Sequence, residues 1–207
     1  MNEFFIVLFL WSILSGGMFH PMTKQEKETL CLALNIYKES RGESLEGQHA
    51  VLHVTMGRAR DNLVEFGGSD LCKVVFHKTI RPTDGKMVEE FSWTEGEIIL
   101  PRDKKAWRRA LKVARRGIKG KIPVPPKLVG ARYFINEAAA GEGGRCFFRG
   151  LVKVATIGSH DYYKKPRTLG EAVQALRGRE YCLANLSSSK KNTPARKQKK
   201  KRFAKRT

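Results

Sequence analysis

The stretch ALNIYKESRGESLEGQHAVLH, residues 33–53, decides the fold. With Leu30 just ahead of it, Ala33, Leu34 and Tyr37 complete the i, i+3, i+4, i+7 spacing of one helix face. Upstream, Thr23 with Glu26 three residues later forms a capping box after Pro21, so this helix opens near residue 23 and closes near Gly42. A second helix, from Leu45 or Glu46 to Arg60, buries Ala50, Val51 and Val54 on one stripe. The connection is about two to four residues long, so two antiparallel or angled helices meet there. Glu39 falls in the last turn of the first helix, at that meeting point.

Working outward, Leu71–Phe76 (LCKVVF) is a short apolar run, followed by a polar loop through RPTDGK and then EFSWTEGE. A third helix is expected over Asp103–Arg116, with Ala106, Trp107, Ala110, Leu111 and Ala114 on one side and a dense set of Lys and Arg on the other; it reads as a core-facing helix with a solvated basic face. Prolines 123, 125 and 126 break the next segment. ARYFIN (131–136) reads as a short strand, GEGGR (141–145) as a turn, and CFFRGLVKVATIG as strand or packed loop. Thr168 and Glu171 cap a last helix running to about Arg177. The expected class is mainly α (α+β), a helical body with a small irregular or β insert. That pattern, without a G-x-G-x-x-G or Walker loop, excludes a nucleotide-binding α/β sheet.

The chain of 207 residues carries 40 Lys or Arg against 20 Asp or Glu, a formal +20. Ten of the cations lie from Ser187 onward, in a segment with no acid and little apolar material, so residues 187–207 are expected to form a disordered basic tail. Such a charge calls for a polyanionic partner: nucleic acid, anionic lipid or an acidic envelope. At the other end FFIVLFLWSIL (4–14) is shorter than the roughly 20 residues of a bilayer span. Residues 1–20 are expected to be an apolar targeting or anchor segment, although Glu3 stands where a signal peptide has Lys or Arg and no A-x-A site follows. Residues 21–186 are expected to form the folded domain. Cys31, Cys72, Cys146 and Cys182 make no C-x-x-C pair, which disfavours a zinc finger. Cys31 reads as a small core residue, and the four permit two disulfides in three connectivities.

Four chemistries compete around Glu39. A carboxyl held at a helix end and desolvated by Ile36 and Tyr37 has the raised pKa of a general acid. Conventional glycoside cleavage also asks for a second carboxylate, with Glu43, Glu46, Asp84, Glu89, Glu90, Glu95 and Glu97 as candidates. His49 and His53, four apart on one helix face, have zinc-ligand spacing but lack the Glu of H-E-x-x-H. Cys72 or Cys31 with His160 would make a nucleophile only if the fold joins them. Finally, Glu39, Arg41 and Glu43 are able to form ion pairs around a turn with no chemistry at all.

ESRGESLEGQHAV (39–51) closely resembles the E-[AS]-R-G-E-x-x-x-E-G-Q-x-A-V signature of the spore-cortex-lytic, or type 2 cell wall hydrolase, family of bacteria and their phages. Arg58, LCKVVF, FSW (91–93) and IGSHDYY (157–163) follow in that family's order, so the likeness spans about residues 28–164. Departures are His49 and His53 at usually small or apolar positions, Gly57 in place of Asn before Arg58, Ser159 in place of Asn before His160, and a variable loop at 78–90.

The resemblance implies a compact lysozyme-like helical domain that cleaves the bond between N-acetylmuramic acid and N-acetylglucosamine in peptidoglycan, as a lytic transglycosylase or muramidase. It places the catalytic glutamate on Glu39. It gives supporting or substrate-binding roles to Arg41, Glu43, Gln48, Ser92, Trp93, His160 and Tyr163, with Gly42 easing the chain reversal and Gln48 facing the cleft. A transglycosylase uses one Glu as acid and then base, which removes the need for a second carboxylate. No metal and no cofactor are expected. The implied partners are peptidoglycan and, through the basic tail, an anionic envelope surface, for a monomer that requires no nucleic acid. The implied location is the bacterial envelope, periplasm or exterior, including action of a phage-encoded protein from within its host. A metal-dependent peptidoglycan amidase and a non-enzymatic cationic binding protein are the alternatives.

Overall fold

The expected capping box forms and opens α1 (Lys24–Ser40): Thr23 Oγ1 accepts from the Glu26 amide at 3.2 Å while the Glu26 carboxylate accepts from the Thr23 amide at 2.9 Å. A computed structural model describes residues 21–80, 85 and 87–191; the apolar stretch at 4–14, Asp84 and the tail beyond 191 lie outside the described residues. α1 is buried on every side from Leu30 to Tyr37, which makes it the central helix of the body and not a one-sided surface helix. α2 (Leu45–Asp61), capped by Ser44, packs along it, and α3 (Leu71–Val75) and α4 (Lys104–Ile118) close the same core. The third helix thus begins where Asp103 caps the Lys105 and Ala106 amides, close to its expected start.

Cys31 is buried as expected, and in addition it is bonded to Cys72, tying α1 to α3 across 41 residues. Closing a loop of that length contributes about 4 kcal/mol in the chain-entropy account. A polar seam crosses the core: Asn35 Nδ2 donates to Thr55 Oγ1 at 3.0 Å, and that hydroxyl donates to the Val51 carbonyl at 2.9 Å. Both residues are fully buried, and their mutual bond is what makes that tolerable.

The β content is small, as the class requires. β1 (Lys78–Ile80) and β2 (Met87–Glu89) form an antiparallel pair. β3 (Tyr133–Ile135), β4 (Val152–Ile157) and β5 (His160–Lys164) form a sheet of order β3-β5-β4, with β3 antiparallel to β5 in the register Tyr133 to Tyr163 and Phe134 to Tyr162. Tyr162 and Ile157 join Ala50 and Val54 of α2 in a second core cluster, which seats the sheet on the face of α2 turned away from α1.

The described residues fall into two compact units. One unit holds those from 21 to 138 with Lys153–Lys165; the other holds Ala139–Val152 with those from 166 to 191. In the second unit α5 (Glu142–Arg149) and α6 (Leu169–Lys191) are joined by Cys146–Cys182. The GEGGR segment, read as a turn, is instead the first turn of α5. Glycine propensity is overridden there by the disulfide, by Arg145 donating back to the Ala140 carbonyl and by packing on α6. α6 passes Arg177, its expected end, because Cys182 binds its later turns to α5. It reaches Lys191, so the first residues of the segment expected to be disordered are helical.

Candidate active site

Glu39 lies in the last turn of α1, one residue before the helix ends. Its side chain is part-buried, and no described residue hydrogen-bonds or ion-pairs with its carboxyl group. Desolvation raises its pKa from 4.5 to about 7, while the Arg58 guanidinium pulls weakly the other way. The carbonyl-rich end of α1 also disfavours an anion there. Near neutrality the group is therefore divided between acid and base, the condition in which one carboxyl serves in both roles.

Arg58 is buried in the same unit. Its guanidinium lies 5.2–5.7 Å from the rings of Phe66, Phe91 and Tyr133, pairs with Glu90 at 3.0 Å and donates to the Arg132 carbonyl at 2.7 Å. Sequence reading took Arg58 only as the next residue in the family's order after the Glu39–Val51 string. Its role here is that of a fixed internal cation.

Glu43, four residues beyond Glu39, has the opposite surroundings. Its Oε1 accepts from the Ser159 hydroxyl at 2.5 Å and the Ser159 amide at 3.3 Å, with His160 Nδ1 at 4.0 Å. This clasps the turn between α1 and α2 onto the two-residue turn between β4 and β5. Gly158 makes the approach possible: its φ is +60°, and a Cβ there would fall on the Glu43 carboxylate. Gly42, to which the reversal was assigned, has no positive φ and open space around it, so the turn does not depend on a glycine there. Arg41 is exposed, lies 5.6 Å over the Tyr37 ring and offers its carbonyl to Arg109 at 3.2 Å.

Gln48 does not face a cleft. It is buried, and its Nε2 donates to the carbonyls of Ser40 and Glu43 at 3.4 and 3.5 Å, which braces the turn from inside, while Oε1 is buried with no partner among the described residues. Trp93 stands in a short 3-10 turn behind exposed Ser92. Its indole donates to Asn35 Oδ1 at 3.2 Å and meets Phe76 edge-on at 5.8 Å. Asn35 precedes Glu39 by four residues, so the indole is fastened to the α1 face that carries Glu39.

On β5 the faces alternate. His160 and Tyr162 share one face with Phe134, at 5.3 and 5.8 Å between rings. Burial lowers the His160 pKa against the opposing pull of Glu43 and Asp161. Tyr163 takes the other face, where its hydroxyl donates to Glu137 at 2.9 Å. The residue that sequence reading missed is Tyr162. It is fully buried, its hydroxyl has no hydrogen-bond partner among the described residues, and burial, followed by the nearby charges of Glu43 and Glu39, raises its pKa. Counting two residues on from His160 along a strand would have found it.

The remaining candidates are dispersed. Glu46, Glu89 and Glu90 are committed to Lys127, Lys78 and Arg58, and Glu95 and Glu97 are exposed. His53 is buried and engaged with the Pro123 carbonyl, and burial lowers the pKa of both His49 and His53. Among the described residues no three His, Cys, Asp or Glu side chains come together as a metal site. Cys31 and Cys72 are bonded to each other, so neither offers a thiolate to His160. A shallow basin lined by Asn62, Lys73, Phe76 and His77 contains none of these site residues.

The sequence profile of the cell wall hydrolases matches residues 42–163, more than half of the chain. The protein belongs to the cell wall hydrolase family. Comparison with curated proteins and with solved structures gives no match. The matched span of this hydrolase takes in the Glu43 clasp, Gln48, Trp93 and the His160–Tyr163 strand, and it begins three residues after Glu39. The role of Glu39 therefore rests on its position and surroundings.

Proposed function

We propose that this cell wall hydrolase cleaves the glycan strand of peptidoglycan as a lytic transglycosylase, with Glu39 as its one acid–base residue. The observation that carries the reading is the Glu39 carboxyl itself: part-buried at a helix end, free of any described partner, with its pKa raised to about 7. Every other described carboxylate considered for the reaction is paired, clasped or exposed, which suits chemistry that needs only one.

In the first half-reaction protonated Glu39 gives its proton to the glycosidic oxygen as the bond from muramoyl C1 to that oxygen breaks. In the second, the Glu39 carboxylate takes the proton of the muramoyl C6 hydroxyl, whose oxygen bonds to C1 and closes a 1,6-anhydro ring. The enzyme ends as it began and no water is consumed. Arg58 limits how far the Glu39 pKa rises, so that the anion formed midway is tolerated. The Glu43–Ser159 clasp holds the catalytic helix end against the β4–β5 turn, and Trp93 offers an aromatic surface for a sugar face. Action outside the cytoplasm, on the envelope, follows from such a substrate.

Chromatography and mass spectrometry of muropeptides released from purified sacculi test this. Anhydromuramoyl ends are expected. Reducing muramoyl ends would replace the transglycosylase with a muramidase, and free stem peptides would overturn glycan cleavage in favour of an amidase.

A further inference from the structure

The cations of α4 differ from many others in their unit. Elsewhere Lys78, Lys127, Arg132, Lys153 and Lys165 each meet a carboxylate at 2.6–2.8 Å. On α4, Lys104, Arg108, Lys112 and Arg115, with Lys119 at its C-cap, recur every three or four residues, all exposed. Lys105, Arg109 and Arg116 form a second row beside them. At about 100° per residue both rows fit inside an arc of about 140°, and they run for about 22 Å along the helix. No carboxylate among the described residues pairs with any of the eight. Asp103, the acid beside them, is spent on capping the Lys105 and Ala106 amides. Like charges at i, i+4 repel, so the fold tolerates a strip of mutual repulsion that Asp103, close to Lys105 and Arg109 alone, relieves at one end only.

We propose that this face of α4 is a docking track for linear phosphodiester polymers of the cell wall, of the polyol-phosphate type. One cation per helical turn, about 5–6 Å apart, suits an extended chain with a phosphate in every repeat. A single-stranded nucleic acid has comparable charge spacing, but its readers stack bases on exposed rings. The one aromatic residue of α4, Trp107, is part-buried and meets Tyr37 edge-on at 6.1 Å. The track adjoins the reacting end of α1: Arg109 donates to the Arg41 carbonyl, and the Asp103 amide donates to the Tyr37 hydroxyl, both at 3.2 Å. A polymer held there keeps the Glu39 end of the molecule at the wall. The choice of polymer rests on the glycan-strand reading. The test reads binding and not product ends, so the two fail separately.

The experiment uses the full chain with K105Q/R108Q/K112Q/R115Q, a second variant with the Lys and Arg of residues 196–206 changed to Gln, and a charge-keeping control, R108K/R115K. Binding to purified poly(ribitol phosphate), and to sacculi before and after hydrofluoric acid removes their phosphodiesters, is measured from 0.05 to 0.5 M salt. The α4 variant should bind the polymer at least tenfold more weakly at low salt. Its slope of log K against log salt should be smaller by about 3. Its circular dichroism and its rate on phosphate-free sacculi should be unchanged, and the charge-keeping control should bind like wild type. Wild-type affinity for sacculi should fall once phosphodiesters are removed. Loss confined to the tail variant would overturn the track. So would an α4 variant that lost affinity for a single-stranded oligonucleotide while keeping it for the polyol phosphate.

Discussion

Two glutamates four residues apart are treated in opposite ways. Glu39 sits at the end of α1 with no described partner and a carboxyl pushed toward neutrality by burial. Glu43 sits in the turn and is clasped by the hydroxyl and amide of Ser159. A carboxylate that accepts two hydrogen bonds is held in one position and serves as a tie between elements. One left bare in a low-dielectric setting is costly for the fold and available for chemistry. The difference lies in neighbours and not in residue type, since both belong to one E-S-R-G-E string.

Glu39→Gln should break the comparison most severely. The amide keeps the shape and loses the proton, so release of muropeptides from sacculi should fall by at least about 10²-fold. A variant retaining a tenth of the wild-type rate would sink the assignment. The same substitution should help the fold. A carboxyl whose folded pKa is raised from 4.5 to about 7 contributes stability that is present below 4.5 and lost as pH rises through 7. The replacement amide does not titrate, so the melting temperature of the variant should gain on wild type between pH 4.5 and 8. Wild-type kcat should decline above about pH 7 as the acid form disappears.

Gly158→Ala attacks the other carboxylate without touching it. The new Cβ falls on the Glu43 carboxylate, and alanine is strained at φ +60°. We expect a loss of about 1–3 kcal/mol, read as a fall of roughly 3–9 °C in melting temperature. The rate should fall about tenfold as the clasp opens, less than for Glu39→Gln. An unchanged melting temperature would show that the clasp carries no stability.

The helix pair was legible in the sequence because its signals are local: the Thr23–Glu26 box, the apolar spacing through Tyr37 and the stripe through Val54 all lie within one or two turns. The position of Glu39 followed from those boundaries. What escaped reading was non-local. Ser159 meets Glu43 across 116 residues of chain, and Cys31 chooses Cys72 only once α3 lies against α1. GEGGR has turn composition, and α5 forms there because α6 and a disulfide hold it. Tyr162 was missed for a different reason. The His160–Tyr163 string was matched by residue type, while the pleat of β5 puts His160 and Tyr162, and not Tyr163, on the face toward α2.

Tyr162→Phe sharpens the same contrast from the sheet side. The hydroxyl is buried and has no partner among the described residues, so its removal should leave stability unchanged or raise it by about 1 kcal/mol. If the hydroxyl serves Glu39 and its substrate, the rate should nevertheless drop several-fold, with the alkaline limb of the pH–rate profile displaced. Loss of stability with an unaltered profile would make Tyr162 a packing residue only.

The smallest effect is expected at Gly42. Although it stands in the middle of the E-S-R-G-E string, its backbone is not left-handed and nothing lies within 4 Å of where a Cβ would be. The helix pair is instead held by the Gln48 amide reaching both ends of the turn and by Arg109 on the Arg41 carbonyl. Gly42→Ala should therefore change the melting temperature by no more than about 2 °C, and upward if anything, since alanine narrows the unfolded ensemble. The rate on sacculi is the sharper reading, because the open space beside Gly42 adjoins the shoulder that bears Glu39. A rate kept within twofold of wild type would mean that the glycan does not pass over this turn. A fall of tenfold or more with an intact fold would mean that the missing side chain leaves room for substrate, and the turn would then belong to the binding surface as well as to the scaffold.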